Sequence, residues 1–213
     1  MKGLYLVTDQ ASCKYHDLET VVSNAVKAGV SCVQLREKTL DTRTFLHNAL
    51  SLKAILEPTN IPLIINDRVD IALASKADGV HIGQSDMPYK TTRELLGPDA
   101  IIGLSVETWD DVTRAQDMSV DYIGVSPVFY TPTKTDIKEP WELSGLKKIK
   151  AYSCHPLVAI GGINSSNIAS VIKAGADSTA MVSAICSAQD PFSTTQNLCN
   201  HFNQFKNQQE KIL

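Results

Sequence analysis

Strand-forming and helix-forming segments alternate eight times along this chain, and this alternation limits the possible folds more than any other feature. Eight units of about 26 residues take up the 213 residues, a length common among single-domain α/β barrels. Strict alternation predicts parallel strands joined by right-handed crossovers. We therefore predict an α/β fold, a single-domain (β/α)8 TIM barrel spanning 1–213, with a frayed tail at about 207–213. The alternative is a doubly wound open sheet, but no glycine-rich fingerprint follows the first strand.

The pattern of apolar residues sets the expected bounds of these elements. Strands are predicted at 3–8, 31–35, 62–65, 78–82, 100–104, 121–125, 156–160 and 177–182. Helices are predicted at 17–28, 41–56, 69–75, 88–96, 108–116, 141–150 and 165–174, with a last helix from about 191. Asp17 and Asp41 are expected to begin the first two helices, and Gly29 to end the first.

Composition excludes some classes of function. The apolar fraction of 43% is enough for a sizeable core, and the net charge is −3 without a dense basic run. We therefore expect no nucleic-acid partner. No apolar run approaches the length that spans a membrane, so no membrane partner is expected either.

The cysteines indicate a reducing compartment. The chain has five, an odd number, and no pair has C-x-x-C spacing. Several lie within apolar runs, as expected for buried, reduced thiols. The chain also begins directly with a strand and without a signal-peptide pattern. We expect a cytoplasmic protein; the sequence leaves open whether it forms a homo-oligomer.

Hydroxyl groups and one ammonium follow the sixth predicted strand, in the run Thr131-Pro132-Thr133-Lys134-Thr135. Hydroxyls, backbone N–H groups and an ammonium together suit phosphate oxygens, and Pro132 stiffens the run. Taken alone, the same residues could form an ordinary polar surface loop.

Polar residues or glycines also occur at the carboxyl ends of nearly all the remaining predicted strands. The carboxyl ends of the strands of such a barrel carry its chemistry, so these residues are expected to converge on one rim. They are Gln34, Arg36, Lys38, Asn66, Asp67, Asp86, Ser105, Gly161, Gly162 and Ser183, and Val182 contributes its backbone beside Ser183. A non-catalytic barrel with a solvated rim is the alternative.

Residue types divide this rim into two anion sites. Asp67 and Asp86 suit Mg²⁺, which is commonly held by one or two carboxylates with phosphates and waters, although each Asp could instead be a helix N-cap. Arg36, Lys38 and Lys134 supply positive charge near them, and Arg36 could grip an oxyanion with two N–H groups. The alternative for these cations is solvated surface charge.

The second anion site is free of metal. Gly161-Gly162 allows backbone N–H groups to approach a ligand, and many barrels bind a phosphate after strands seven and eight, where Val182-Ser183 begins a helix. The alternative for the glycine pair is a tight turn that needs positive φ. A diphosphate suits the first site and a monophosphate the second, which predicts a group transfer with diphosphate as leaving group.

Over nearly its whole length the chain resembles the thiamine-phosphate synthase (thiamine phosphate pyrophosphorylase) family. The resemblance is carried by the segments 5–9 (YLVTD), 34–38 (QLREK), 66–68 (NDR), 77–84 (ADGVHIGQ), 131–136 (TPTKTD), 159–163 (AIGGI) and 174–177 (AGAD). It implies a transferase that joins 4-amino-2-methyl-5-hydroxymethylpyrimidine diphosphate to the nitrogen of a thiazole phosphate. Thiamine phosphate and diphosphate are the products, Mg²⁺ is required, and diphosphate leaves first in a dissociative mechanism.

The resemblance also implies roles for individual residues. Contacts to the pyrimidine diphosphate would come from Gln34, Leu35, Arg36, Glu37, Lys38, Asn66, Ser105 and Lys134. Contacts to the thiazole phosphate would come from Thr131, Pro132, Thr133, Gly162, Val182 and Ser183. Asp67 and Asp86 would hold Mg²⁺, and Arg36, Ser105 and Lys134 would be catalytic. The chain departs from the family pattern at Ser126, Tyr130 and Ser178-Thr179, which bears on loop geometry and on the preferred form of the thiazole.

Two other functions are weighed against this one. A related thiazole tautomerase uses a His just after the sixth strand, where this chain has Pro127, and lacks the Thr-x-Thr-Lys run. A non-catalytic barrel that binds thiazole phosphate is the second. His81 is expected to be a hydrogen-bonded residue within the fourth strand, and His155 to lie near the opposite face, so neither is a strong catalytic candidate.

Overall fold

Eight parallel strands form a closed barrel in the computed structural model, which describes residues 2–131 and 139–210, the last five by their backbone only. Each strand pairs with its neighbour in sequence, and β8 closes the barrel on β1. The strands are β1 Gly3–Val7, β2 Cys32–Leu35, β3 Leu63–Asn66, β4 Gly79–Ile82, β5 Ile101–Val106, β6 Tyr122–Val125, β7 Leu157–Ile160 and β8 Ser178–Met181. The predicted fold class is confirmed.

A helix covers the outside of the barrel after each strand. The helices are α1 Leu18–Ala28, α2 Thr42–Leu56, α3 Val69–Ser75, α4 Tyr89–Leu96, α5 Trp109–Ala115, α6 Glu142–Tyr152, α7 Ile168–Lys173, α8 Ser183–Cys186 and α9 Pro191–Glu210. Among the differences from the predicted bounds, α7 begins at Ile168 rather than at 165, and α8 is a separate short helix before α9. The backbone of α9 is helical to Glu210, and the frayed tail at about 207–213 stays a prediction. Within the described parts of the chain, no helix is long and apolar enough to cross a membrane.

Side chains of the sequence fix where several helices begin and end. The carboxylate of Asp17 accepts a hydrogen bond from the backbone N–H of Thr20, and Asp41 caps α2 in the same way. Thr108 and Asp111 form a reciprocal capping box at the start of α5. Gly29 ends α1 with φ of 102°, a left-handed conformation that glycine adopts without strain. The predicted starts of α1 and α2 are therefore confirmed.

Strand residues alternate between two apolar layers. One set, including Leu35 and Ile65, packs outward against the helices and forms the main core. The other set points into the barrel and includes Tyr5, Ile64 and Tyr122. This period-two alternation determines which side chains point towards the barrel axis. Those side chains form the floor of any site at the rim.

Carboxylates join the amino ends of three pairs of neighbouring strands, β3–β4, β5–β6 and β7–β8. Asp78, Asp121 and Asp177 each stand just before a strand, and each accepts a hydrogen bond of 2.8–3.0 Å from a backbone N–H of the preceding strand. Each also pairs with a cation from a neighbouring helix: Lys53, Arg93 or Lys150 respectively. These acids lie at the end of the barrel that serves stability rather than chemistry.

Two glycines inside the barrel make room for large rings. A Cβ added to Gly103 would overlap the end of the Tyr122 ring and lie 2.6 Å from Nδ1 of His81. A Cβ added to Gly124 would lie 2.9 Å from Cε1 of His81. The lack of a side chain at Gly103 of β5 and at Gly124 of β6 therefore lets Tyr122 and His81 lie across the barrel, close to its axis.

Candidate active site

A cavity of about 790 Å³ opens at the carboxyl ends of the strands. This is the end at which barrels of this type carry their chemistry, and the volume suits a small-molecule ligand. Eleven of the predicted site residues line it: Gln34, Arg36, Lys38, Asn66, Asp67, Asp86, Ser105, Thr131, Gly162, Val182 and Ser183. The convergence predicted from the strand ends therefore occurs.

The other predicted site residues are placed differently. Leu35 is fully buried in the layer between strands and helices, and neither it nor Glu37 is among the residues that line the cavity. Burial, and secondarily the neighbouring Asp9 carboxylate, raises the pKa of the Glu37 carboxyl. Its Oε1 is buried without a hydrogen-bond partner among the residues that the structure describes. The remaining three, Pro132, Thr133 and Lys134, lie outside the described residues.

Two carboxylates stand together at the ends of β3 and β4. Lys38 Nζ donates to Asp67 Oδ2 at 2.6 Å, and the N–H of Gly83 donates to Asp86 Oδ2 at 2.6 Å. Burial raises the pKa of the Asp86 carboxyl, and the adjacent Asp67 carboxylate raises it further. Two adjacent oxygen donors that repel each other suit a hard divalent cation.

The alternative role of these acids as helix N-caps is wrong. Arg68 is the N-cap of α3 and Pro88 is the N-cap of α4, and neither cap makes a side-chain hydrogen bond. Asp67 instead has φ of 63°, a left-handed conformation that is unusual for a residue other than glycine. Its backbone N–H donates to the carbonyl of His81 at 2.8 Å, which joins β3 to β4 beneath the acids.

A hydrogen-bonded chain of polar side chains forms the floor of the cavity. Gln34 Nε2 donates to Tyr5 Oη at 2.8 Å, and Tyr5 Oη lies 2.9 Å from Tyr122 Oη. His81 continues the chain, with Nδ1 3.0 Å from Tyr122 Oη and Nε2 2.8 Å from Ser105 Oγ. The rings of His81 and Tyr122 are stacked with centroids 5.5 Å apart. Five strands therefore contribute to one connected polar floor.

Asn66 offers a donor that none of the residues in 2–131 and 139–205 accepts. The residue is 6% exposed and lines the cavity, and its Nδ2 is buried without a hydrogen-bond partner. Because buried polar groups are nearly always paired, an unpaired amide at a cavity wall is typical of a group that binds a ligand.

The glycine pair after β7 brings the loop after β6 close to the barrel. Gly161 and Gly162 have φ of 103° and 65°, so the predicted turn with positive φ is present. A Cβ on Gly162 would lie 2.7 Å from both Cβ of Phe129 and the carbonyl oxygen of Tyr130. The N–H of Phe129 donates to the carbonyl of Gly161 at 3.0 Å. Thr131 therefore reaches the rim beside Gly162.

Sequence reasoning missed part of the site. Tyr5 and Tyr122 were interpreted as strand residues and His81 as a hydrogen-bonded residue of β4; the hydrogen bonds of His81 are confirmed, but all three also line the cavity. Gln84 lines it too, and its Nε2 donates to the carbonyl of Ser105 at 2.7 Å. Glycines on two neighbouring strands, facing the barrel axis, were the signal that large rings had to fill that space.

Comparisons with known proteins agree with this geometry. The family model described as thiamine monophosphate synthase matches residues 4–185. A thiamine-phosphate synthase of Albidiferax ferrireducens is 57% identical over 188 residues, which cover 88% of this chain and 86% of the relative. A thiamine-phosphate synthase of Leptospira biflexa is 53% identical over 206 residues, covering 95% and 98%.

Solved structures give the same result. A thiamine phosphate pyrophosphorylase from Pyrococcus furiosus superposes with a TM-score of 0.86 at 33% identity, covering 95% of this chain and 96% of that one. A 3-hexulose-6-phosphate synthase, 16% identical with a TM-score of 0.65, shares the fold.

Proposed function

We propose that this chain, which belongs to the thiamine monophosphate synthase family, is a transferase that makes thiamine phosphate. It would transfer the 4-amino-2-methyl-5-methylenepyrimidine group from its diphosphate to the nitrogen of 4-methyl-5-(2-phosphoethyl)thiazole, or of its carboxylated form. The observation that carries this proposal is the placement of an acid pair, two cations and a polar floor in one cavity at the strand ends.

The acid pair fits the Mg²⁺ that such a reaction would use. Asp67 and Asp86 offer two carboxylates. No larger group, of three or more His, Cys, Asp or Glu side chains that could hold a metal ion, is found among the described residues. Two carboxylates with phosphate oxygens and water are a usual environment for Mg²⁺. A bound Mg²⁺ would neutralise charge on the diphosphate.

Cations and the unpaired amide beside the acid pair would bind the diphosphate. Arg36 and Lys38 line the same wall as Asp67, and Arg36 can give two parallel N–H donors to phosphate oxygens. The unpaired Nδ2 of Asn66 supplies a further donor. These groups stabilise the negative charge that grows on the leaving diphosphate as the carbon–oxygen bond breaks.

The polar floor would receive the pyrimidine ring. The ring of His81, which stacks on the buried ring of Tyr122, lines this cavity. The amide of Gln34 and the hydroxyl of Ser105 lie at the two ends of the hydrogen-bonded series. A dissociative mechanism requires orientation and electrostatic stabilisation rather than a nucleophile on the protein. This agrees with a floor of neutral groups.

The thiazole phosphate would bind across the cavity from the acid pair. Thr131, Gly162, Val182 and Ser183 all line the cavity, and the left-handed turn at Gly161-Gly162 lets the loop that carries Thr131 pack closely beside them. Pro132 and Thr133, which lie outside the described residues, stay predicted members of this group. This separation would leave the thiazole nitrogen facing the carbon that loses diphosphate.

Lys134, also outside the described residues, stays predicted as the cation that stabilises the leaving diphosphate. Such a group raises kcat only if it binds the transition state more tightly than the ground state. Removing it in Lys134→Ala would lower kcat by about 10²–10³-fold, with little effect on binding of thiazole phosphate.

Diphosphate release, measured with both substrates and with each omitted, tests this function. A transferase releases diphosphate rapidly only with both substrates and Mg²⁺ present. A tautomerase would consume the thiazole phosphate in the absence of the pyrimidine, and a binding protein would turn over neither. Either of the latter outcomes would contradict the proposal.

A further inference from the structure

The hydrogen bonds of the floor run in one direction. The amide nitrogen of Gln34 is a donor with no acceptor capacity, so the oxygen of Tyr5 accepts its hydrogen at 2.8 Å. Tyr5 has a single O–H, and among the described residues its possible acceptors are the oxygen of Tyr122 at 2.9 Å and the thiol of Cys32, a weaker acceptor. Tyr5 therefore donates to Tyr122.

The same reasoning extends to the other end of this series of hydrogen bonds, at His81 and Ser105. Tyr122 accepts from Tyr5, so its own hydrogen points to Nδ1 of His81, 3.0 Å away. A neutral imidazole that accepts at Nδ1 carries its hydrogen at Nε2. That hydrogen points to Ser105 Oγ at 2.8 Å. Ser105 accepts from His81, so its own O–H is available to donate into the cavity.

Burial keeps both tyrosines protonated, as this direction requires. Burial raises the pKa of both phenols well above the usual value, which keeps both protonated. Neither phenol can reverse the chain by losing its proton near neutral pH.

We propose that the chain from Gln34 through Tyr5, Tyr122 and His81 presets Ser105 as a hydrogen-bond donor to the pyrimidine diphosphate. Tyr5, Tyr122 and His81 are then positioning residues, whose effect on the reaction passes through one hydroxyl. The direction of these hydrogen bonds does not depend on the reaction. The identity of the group that accepts the Ser105 hydrogen rests on the proposed function.

Nitrogen NMR of protein labelled with ¹⁵N-histidine tests the direction without any assay of activity. His81, assigned by loss of its signals in His81→Asn, should show an unprotonated Nδ1 and a protonated Nε2. Tyr122→Phe should abolish this single tautomer, because Nδ1 loses its donor. The matched control is Tyr89→Phe, which removes a hydroxyl bonded to the carbonyl of Ser119 elsewhere in the fold and should change neither nitrogen. A protonated Nδ1 in the wild type would overturn the proposal.

A double-mutant cycle tests the route through Ser105. Tyr122→Phe should lower kcat by about tenfold or more. The loss should be smaller than the about 10²–10³-fold loss that follows removal of a preorganised donor itself. The KM for thiazole phosphate should not change. In a Ser105→Ala background the same change should have almost no further effect, since the group it acts through is gone. An undiminished loss in that background would mean that Tyr122 acts by packing alone and would overturn the positioning role. If neither the wild type nor any variant converts the substrates, the proposed function fails. The NMR result still decides the direction of the hydrogen bonds.

Discussion

Lys38 Nζ lies 2.6 Å from Asp67 Oδ2, within the pair of carboxylates proposed to bind Mg²⁺. The ammonium and the metal ion would therefore compete for one oxygen. Metal binding would release Lys38 from Asp67 and leave its ammonium available to the diphosphate, so that one side chain serves the acid pair first and the substrate afterwards.

This competition predicts opposite effects of Lys38→Met on two measurements. Binding of Mg²⁺ without substrates should become tighter, by about 0.2–1 kcal/mol for the loss of one exposed ion pair. The kcat should fall, because a cation that binds the diphosphate is lost. Calorimetric titration with Mg²⁺ and steady-state kinetics measure the two effects. Lys53→Met, which removes an ion pair to Asp78 at the other end of the barrel, is the control and should leave Mg²⁺ binding unchanged. Weaker Mg²⁺ binding by Lys38→Met would refute the competition.

Replacing Asp67 separates its charge from its backbone conformation. Asp67→Asn keeps a residue that tolerates φ of 63° and removes the charge, so activity should collapse while the free energy of unfolding changes little. Asp67→Ala should also be inactive, and it should be less stable than Asp67→Asn by about 1–2 kcal/mol. Denaturant unfolding and diphosphate release are the two assays.

Asp177→Asn is the matched control for this experiment, because Asp177 pairs with Lys150 and with the N–H of Leu157 at the opposite end of the barrel. It should lower stability and leave kcat per folded molecule unchanged. Retention of Mg²⁺-dependent activity by Asp67→Asn would remove Asp67 from the proposed metal site.

Many of the residues on this rim could be predicted from the sequence, because the parallel strands of a closed barrel all have their carboxyl ends on one side. Asp67 and Asp86, 19 positions apart, were placed together by that rule alone. The floor could not be placed in the same way. Tyr5 and Tyr122 are separated by 117 positions and meet across the barrel axis, so their contact depends on how the barrel closes and on which residues are small enough to let the rings pass.

Local geometry was also beyond the sequence in two places. An Asp before a helix usually caps it, but Asp67 turns left-handed and gives its carboxylate to Lys38 instead, so propensity was overridden by tertiary contacts. Ser183–Cys186 is a single helical turn before the final helix, too short for its periodicity to be separated from that of its neighbour. The roles of Thr133 and Lys134 stay predictions from the resemblance.

The glycines beneath the floor should tolerate alanine unequally. A Cβ on Gly103 would overlap Tyr122, whereas one on Gly124 would meet only the edge of His81 at 2.9 Å. Gly103→Ala should cost about 1–3 kcal/mol of stability, as overpacking of a well-packed core does, and should weaken binding of the pyrimidine substrate. Gly124→Ala should show smaller losses of both. Thermal unfolding and substrate KM values rank the variants, and the reverse order would contradict the packing described for the floor.

The buried phenols predict how stability depends on alkaline pH. Burial, more than any other cause, raises the folded-state pKa of Tyr5 and of Tyr122. Their contribution to stability is therefore fully present below the unfolded-state pKa of about 10 and is lost as the pH rises above it, by up to about 1.4 kcal/mol per pH unit for each group. Denaturant unfolding between about pH 9 and 11 measures this slope.

A variant carrying both Tyr5→Phe and Tyr122→Phe should unfold with a shallower dependence on pH in that window. Absorbance at the tyrosinate band should show the same two residues ionising only as the wild-type protein unfolds. Ionisation of all six tyrosines before unfolding would contradict the burial of these two.

Mass spectrometry of the reaction product tests the central claim most directly. The protein is incubated with the pyrimidine diphosphate, the thiazole phosphate and Mg²⁺, and in parallel with a chelator in place of Mg²⁺. The account predicts thiamine phosphate and an equal amount of diphosphate in the first sample, and neither in the second. Consumption of either substrate without thiamine phosphate, or no reaction by folded protein that binds both substrates, would contradict it.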